Sequence, residues 1–291
     1  METLKNVKLT GANDKPFLLD AYYTANNKKK PVIVFCHGFK GFKDWGTFHL
    51  IAERFAKEDF VFIKFNFTHN GTTIENPEEV VDTEAFANNN FNKELEDLDS
   101  VLHWVQNNDL IPETEFDTSQ IYLIGHSRGG AVALIKAAES KSVSKIITWA
   151  SPYDLKYGWD DEEVLLSWKE EGVKYVENKR TGKQLPMYFQ IVEDFFNNRE
   201  RFNLKKNVEY LDKPMMVIHG TEDEAVPFEH AIEMKRWNKS VNLELIPHAN
   251  HTFGGSHPYA KKELPYDANL IIDLSIKFLK GIPERRRRKR T

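Results

Sequence analysis

The chain has 291 residues, 41% of them hydrophobic and 29% charged, with a formal net charge of −4. This composition supports a sizeable core and excludes a disordered or fibrous chain. No run approaches the roughly 18 apolar residues of a membrane-spanning helix, and the single cysteine, Cys36, excludes an internal disulfide framework or a cysteine metal cage.

Six positive charges are concentrated at residues 285–290, leaving 34 Lys and Arg against 44 Asp and Glu elsewhere, a net of −10. So acidic a body is a poor partner for nucleic acid, whose phosphates need a basic surface. The N-terminal segment METLKNVKLT lacks the apolar stretch of a secretory signal. With the lone cysteine, this predicts a cytoplasmic protein with no stable membrane insertion.

In chain order, residues 5–10 and 17–24 flank a turn cluster and predict a hairpin. The short apolar run at 31–36 predicts a strand covered on both faces. Helical spacing follows over 45–57, then a strand over 60–67. Leu95, Leu98, Leu102 and Val105 mark one face of a second helix. A strand at 120–124 runs directly into a helix marked by Ala131, Leu134, Ile135 and Ala138, and another strand covers 145–150. The rhythm then breaks. Residues 152–210 are rich in charge and aromatic rings and show weak strand signals. Strands return at 215–219 and 242–246, with helices at 228–237 and 267–280. Strands alternating with helices predict a mostly parallel sheet with helices on both faces. The organisation expected is a core over 1–151 and 211–281, a cap or lid inserted at 152–210, and a basic tail at 282–291.

The strongest chemical signal is Gly125-His126-Ser127-Arg128-Gly129, lying between a strand and an Ala-rich helix. A sharp strand-to-helix turn there exposes a strained serine as a nucleophile, and the helix N-terminus favours developing negative charge. A bare match could be only a glycine-rich turn; the flanking strand and helix favour the nucleophile.

A serine hydroxyl needs a base, and the base an orienting acid. In this kind of site the acid follows the serine in the chain and the histidine comes last. Asp223 stands just beyond the strand at 215–219 and is preferred over its neighbours Glu222 and Glu224; the bland alternative is three solvated loop charges. His251 follows the last strand and is preferred over His248 and His257. Backbone donors for an oxyanion are expected at Arg128, directly after the serine, and at Phe39, in the loop after the strand at 31–36. Other histidines, such as His49, His69 and His103, lack metal-ligand spacing, so no metal is expected, and serine-based ester hydrolysis calls for no organic cofactor.

Together HGFKGFKDW (37–45), GHSRGG (125–130), HGTEDEAVP (219–227) and HANHTF (248–253) resemble the α/β-hydrolase superfamily. Within it they resemble the serine aminopeptidase S33-like and dienelactone-hydrolase-like group, which includes feruloyl and cinnamoyl esterases. The resemblance implies the α/β-hydrolase fold: an eight-stranded, mostly parallel sheet, an antiparallel second strand and a cap after strand six. It also implies Ser127, Asp223 and His251 as the triad. Arg128 departs from the common pattern, in which an apolar residue follows the serine, and places a charge near the pocket.

The expected activity is hydrolysis of small carboxylic esters with short or aryl acyl groups. Two rivals stand beside it. A peptidase on the same fold would need acids for the substrate ammonium, and the insertion offers Asp160, Asp161, Glu162, Glu163, Glu170 and Glu171; such runs are usually a solvated face. A binding protein that kept the fold without its chemistry is the other, since fold alone does not fix activity.

Overall fold

In the computed structural model, residues 1–156, 159 and 161–282 are described; Tyr157, Asp160 and the Arg-rich tail at 285–290 lie outside them. The first hairpin pairs β1 (Glu2–Thr10) with β2 (Pro16–Tyr23), antiparallel, around a short turn at Ala12–Asp14. Then come β3 (Lys30–Cys36), α1 (Phe48–Ala56), β4 (Val61–Phe65), α2 (Thr83–Ala87) and α3 (Phe91–Asn107). The centre of the chain supplies β5 (Phe116–His126), α4 (Arg128–Glu139) and β6 (Val143–Trp149).

Between β6 and the next core strand lie α5 (Glu162–Glu171), a hairpin of β7 (Val173–Asn178) and β8 (Lys183–Tyr188), α6 (Gln190–Asn197) and α7 (Leu204–Glu209). The chain closes with β9 (Met215–Gly220), α8 (Glu229–Trp237), β10 (Asn242–Ile246) and α9 (Tyr266–Leu279). An eight-stranded sheet has the order β1-β2-β4-β3-β5-β6-β9-β10, and β7 and β8 form a sheet of their own. β2 runs antiparallel to both its neighbours, and the pairs from β4 through β10 are parallel.

Alternation along each strand sorts side chains to two faces. Val32, Val34, Ile121, Leu123 and Ile146 join one buried cluster with residues of α3 and α4. Ile33, Phe35, Tyr122, Ile124 and Ile147 join the other, beneath α1 and α9. With both faces covered, the strands read as continuous apolar runs. Burying each large aliphatic or aromatic side chain stabilises the fold by roughly 1.5–3 kcal/mol before chain entropy is counted. Phe35 adds edge-to-face geometry, its ring 4.7 Å from that of Phe48.

Local chemistry moved several element ends. The helix expected from Trp45 starts at Phe48, because Gly46 has a φ of +53° and residues 42–48 close two successive turns through Trp45 N–H to Phe42 O and Phe48 N–H to Trp45 O. The strand expected at 120–124 runs from Phe116 to His126, with a register shift between Pro31 and Val32 that accommodates the polar stretch around Ser119. α2, capped by the Asp82 carboxylate accepting from Ala85 N–H, had no strong sequence signal.

Candidate active site

The candidate residues Ser127, Asp223 and His251 follow the C-terminal ends of β5, β9 and β10, where an open α/β sheet offers its binding crevice. Ser127 joins β5 to α4 with φ 54° and ψ −129°, a conformation costly for a residue with a side chain. Its N–H donates to Trp149 O at 2.8 Å, and its own carbonyl accepts from Gly130 N–H at 2.8 Å. The flanking glycines are sterically required. A Cβ on Gly125 would lie 2.3 Å from Gly129 O, and one on Gly129 would lie 2.3 Å from His37 O. The turn therefore closes against the end of β3 as well as against its own strand.

Two further strand ends are tied in the same way. Ala150 N–H donates to Ile218 O at 2.9 Å, and Thr221 N–H donates to Ile246 O at 3.0 Å. Past β9, Asp223 turns inward with a fully buried side chain. Its Oδ1 accepts from the backbone N–H groups of Ala225 and Val226 at 2.9 and 2.8 Å. His251 Nδ1 stands 2.8 Å from Asp223 Oδ2, and His219 Nε2 stands 3.0 Å from the same oxygen. Burial works against the Asp223 charge, but the hydrogen bonds from His219 and His251 outweigh it and hold the carboxyl well below the usual range.

His219 was not singled out from the sequence. Its Nε2 also meets Val226 O at 2.9 Å, which makes that nitrogen the protonated one. It lies wholly buried at the end of β9 and shares Asp223 Oδ2 with His251. Only its position in HGTEDEAVP hinted at the site.

The competing residues go elsewhere. His248 pairs with Glu222 at 2.6 Å, both largely exposed. Glu224 accepts from His251 N–H at 3.4 Å. His257 Nδ1 accepts from Gly46 N–H at 2.9 Å, with its ring edge on Phe42. His126 Nε2 donates to His251 O at 2.9 Å, and burial pulls its pKa down to about 3, so it serves as a neutral brace for the His251 loop.

Phe39 lies in the loop that follows β3. His37 shapes that loop, with Nδ1 donating to Gly38 O at 2.9 Å while Gly41 N–H donates to the same oxygen at 3.0 Å. Burial lowers the His37 pKa to about 4, keeping it neutral. Lys43 anchors the far side of the loop, its ammonium 2.9 Å from buried Asp20 and its N–H donating to Asn66 Oδ1 at 2.6 Å. The Phe39 N–H has no acceptor among the described residues.

Two cavities meet at Ser127 and Phe39. One, of about 320 Å³, is walled by Phe91, Trp159, Trp168, Met187 and Val226, with Arg128 and Lys174 at its polar edge. The other, of about 400 Å³, is lined by Trp45, His126 and His251 and by Lys40, Lys179 and Arg180. The Arg128 guanidinium is matched by Glu94 at 2.5 Å and sits between the Phe39 and Phe91 rings, 5.0 and 4.9 Å from their centroids. Glu162, Glu163, Glu170 and Glu171 of α5 are exposed.

Sheet order, strand directions and the serine turn define the protein as an α/β hydrolase. It belongs to the BD-FAE family, whose family model matches residues 19–237. A Mycoplasma genitalium protein named "Putative esterase/lipase 2" is 24% identical over 283 residues, covering 89% of this chain and 92% of its own length. Among solved structures, Est1E from Butyrivibrio proteoclasticus superposes with a TM-score of 0.68 at 16% identity, covering 96% of this chain and 98% of its own. The esterase domain of a Rhodothermus marinus protein superposes with a TM-score of 0.64 at 18% identity, covering 97% and 99%. No helix among the described residues is long and apolar enough to cross a membrane.

Proposed function

We infer that the protein hydrolyses carboxylic esters through Ser127, His251 and Asp223. The observation that carries this reading is Ser127, strained at the head of α4, sharing a cavity with a histidine whose Nδ1 is held by a buried carboxylate. Holding Nδ1–H against Asp223 leaves Nε2 as the base. Ser127 Oγ attacks the ester carbonyl while its proton passes to His251 Nε2. The oxyanion is stabilised by the N–H groups of Phe39 and Arg128. Collapse breaks the carbonyl–alkoxy bond, and His251 returns the proton to the departing alcohol. Water then attacks the acyl-enzyme by the same route, releasing the acid and restoring Ser127.

Residues 152–210 act as the cap, since Trp159, Trp168, Lys174, Val176 and Met187 wall the apolar cavity. Rigid rings favour flat aryl or short acyl groups over long flexible chains. The esterase names of the relatives support the reaction class, and the ferulic acid bound to Est1E supports an aryl acyl group. The exposed acids of α5 line neither cavity, and the one acid that shares a cavity with Ser127 among the described residues, Asp154, lies in a wall that also carries Lys174, which disfavours a peptidase. The lone buried Cys36 suits a reducing, cytoplasmic setting. A fluorophosphonate probe should label wild type and not Ser127→Ala, and methyl hydroxycinnamates and short p-nitrophenyl esters should be turned over. Failure of wild type on both counts overturns the reading.

A further inference from the structure

The ester-hydrolase reading leaves open which group enters which cavity. In that reaction His251 delivers a proton to the departing oxygen, so the leaving alcohol must lie on the histidine side. His251 lines the second cavity and not the first. The apolar, tryptophan-walled cavity is thus left for the acyl group.

The second cavity has an unusual charge. Lys40, Lys179 and Arg180 line it, and no Asp or Glu does so among the described residues. Among the described residues, none of the three is in an ion pair with a carboxylate. Lys40 Nζ donates instead to the Glu177 carbonyl oxygen at 2.9 Å, joining the Phe39 loop to the hairpin. The Arg180 guanidinium lies 5.8 Å from the Phe42 ring centroid. Burial first, and then the nearby Lys179 charge, pull the Lys40 pKa below its ordinary value, against a smaller opposing pull from Glu177. In the acyl cavity, by contrast, Arg128 is neutralised by Glu94, and Asp154 lines the wall with Lys174.

Unbalanced positive charge at one mouth of a site, on a chain whose body is net acidic, attracts and orients an anion. We propose that the leaving-group cavity selects esters whose alcohol carries an anionic oxygen group, held by Lys179 and Arg180 at the β7–β8 turn and by Lys40. This rests on the ester-hydrolase reading and specifies its substrate class.

The test uses two acetyl esters that share an acyl group: 4-acetoxybenzoate, which is anionic, and its neutral methyl ester. The quantity read is the ratio of their kcat/KM values, in wild type and in Lys179→Gln/Arg180→Gln. Taking this ratio between proteins cancels the different intrinsic reactivities of the two leaving groups. The anionic-to-neutral ratio should fall at least about fivefold in the double variant, as expected for two exposed charge contacts removed together. In wild type it should also fall as salt rises from about 0.05 to 0.5 M, because exposed charges are screened. A ratio unchanged within about twofold, or an equal loss on both esters, overturns the proposal. Should the double variant misfold, the single variants give the same ratio in smaller steps. If wild type turns over neither ester, the ester-hydrolase reading falls; calorimetric binding of 4-hydroxybenzoate then still decides the cationic cavity. Weakening of at least about fivefold in the variant supports it, and equal binding overturns it.

Discussion

Glu222 and His248 pair with each other at 2.6 Å in the open, next in the chain to the buried Asp223 and three residues before His251. Two acid–histidine couples therefore leave the same pair of loops, and only the inner one reaches the serine cavity. His251→Ala should lower kcat by about a thousandfold or more, and Asp223→Asn by a comparable factor. His248→Ala and Glu222→Gln should leave it within about twofold, because exposed ion pairs contribute little. Steady-state kinetics on one p-nitrophenyl ester checks all four; a larger loss for the outer pair would reassign the base.

Ser127→Ala should abolish turnover while the urea midpoint stays near that of wild type, since Ser127 is only half-buried and faces both cavities. Gly129→Ala should do the opposite in kind. Its Cβ would press on backbone at 2.3 Å, so the loss should appear first as reduced stability or soluble yield. Wild-type-like stability in Gly129→Ala would show that the turn can open.

Glu94 lies almost fully buried against Arg128 and also accepts from Asn89 Nδ2 at 2.8 Å. Glu94→Ala would leave the partly buried guanidinium without its carboxylate and should cost about 1–3 kcal/mol. The double substitution Glu94→Leu/Arg128→Met removes both charges and should cost clearly less. Denaturant midpoints decide this, and equal costs for the two proteins would dismiss the pairing as a stability term.

The depressed Asp223 carboxyl has a consequence in acid. Its folded-state pKa lies below its unfolded value, so its contribution to stability is complete above roughly pH 4 and fades as pH falls toward the folded value. Urea midpoints between about pH 5 and pH 2 should thus decline less steeply for Asp223→Asn than for wild type. Parallel declines would mean that Asp223 titrates alike in both states.

Much of this architecture is legible in the sequence because it follows from short-range chemistry. Doubly covered strands must be apolar throughout, and Gly125 and Gly129 have to be glycine for the serine turn to form. What escaped depends on distance. The β7–β8 hairpin breaks strand alternation, with Tyr175 and Val176 adjacent between Lys174 and Glu177, and only a few of its residues, such as Leu185 and Met187, join the core. His219 reads as one more residue of a buried strand until Asp223 is seen beneath it. The partner of Arg128 lies 34 residues upstream on α3, among other acids with no mark to distinguish it.

The three backbone ties from Ser127, Ala150 and Thr221 to the neighbouring strands give the protein a division of labour. The candidate triad hangs from a sheet whose strand ends are fastened in series, while both cavities are walled in part by a hairpin that shares no strand pairing with it. Mutations in that hairpin can retune which molecules enter without loosening the bonds that aim the serine. On the proposed ester-hydrolase reading, a few substitutions at one exposed turn would change which esters the protein takes.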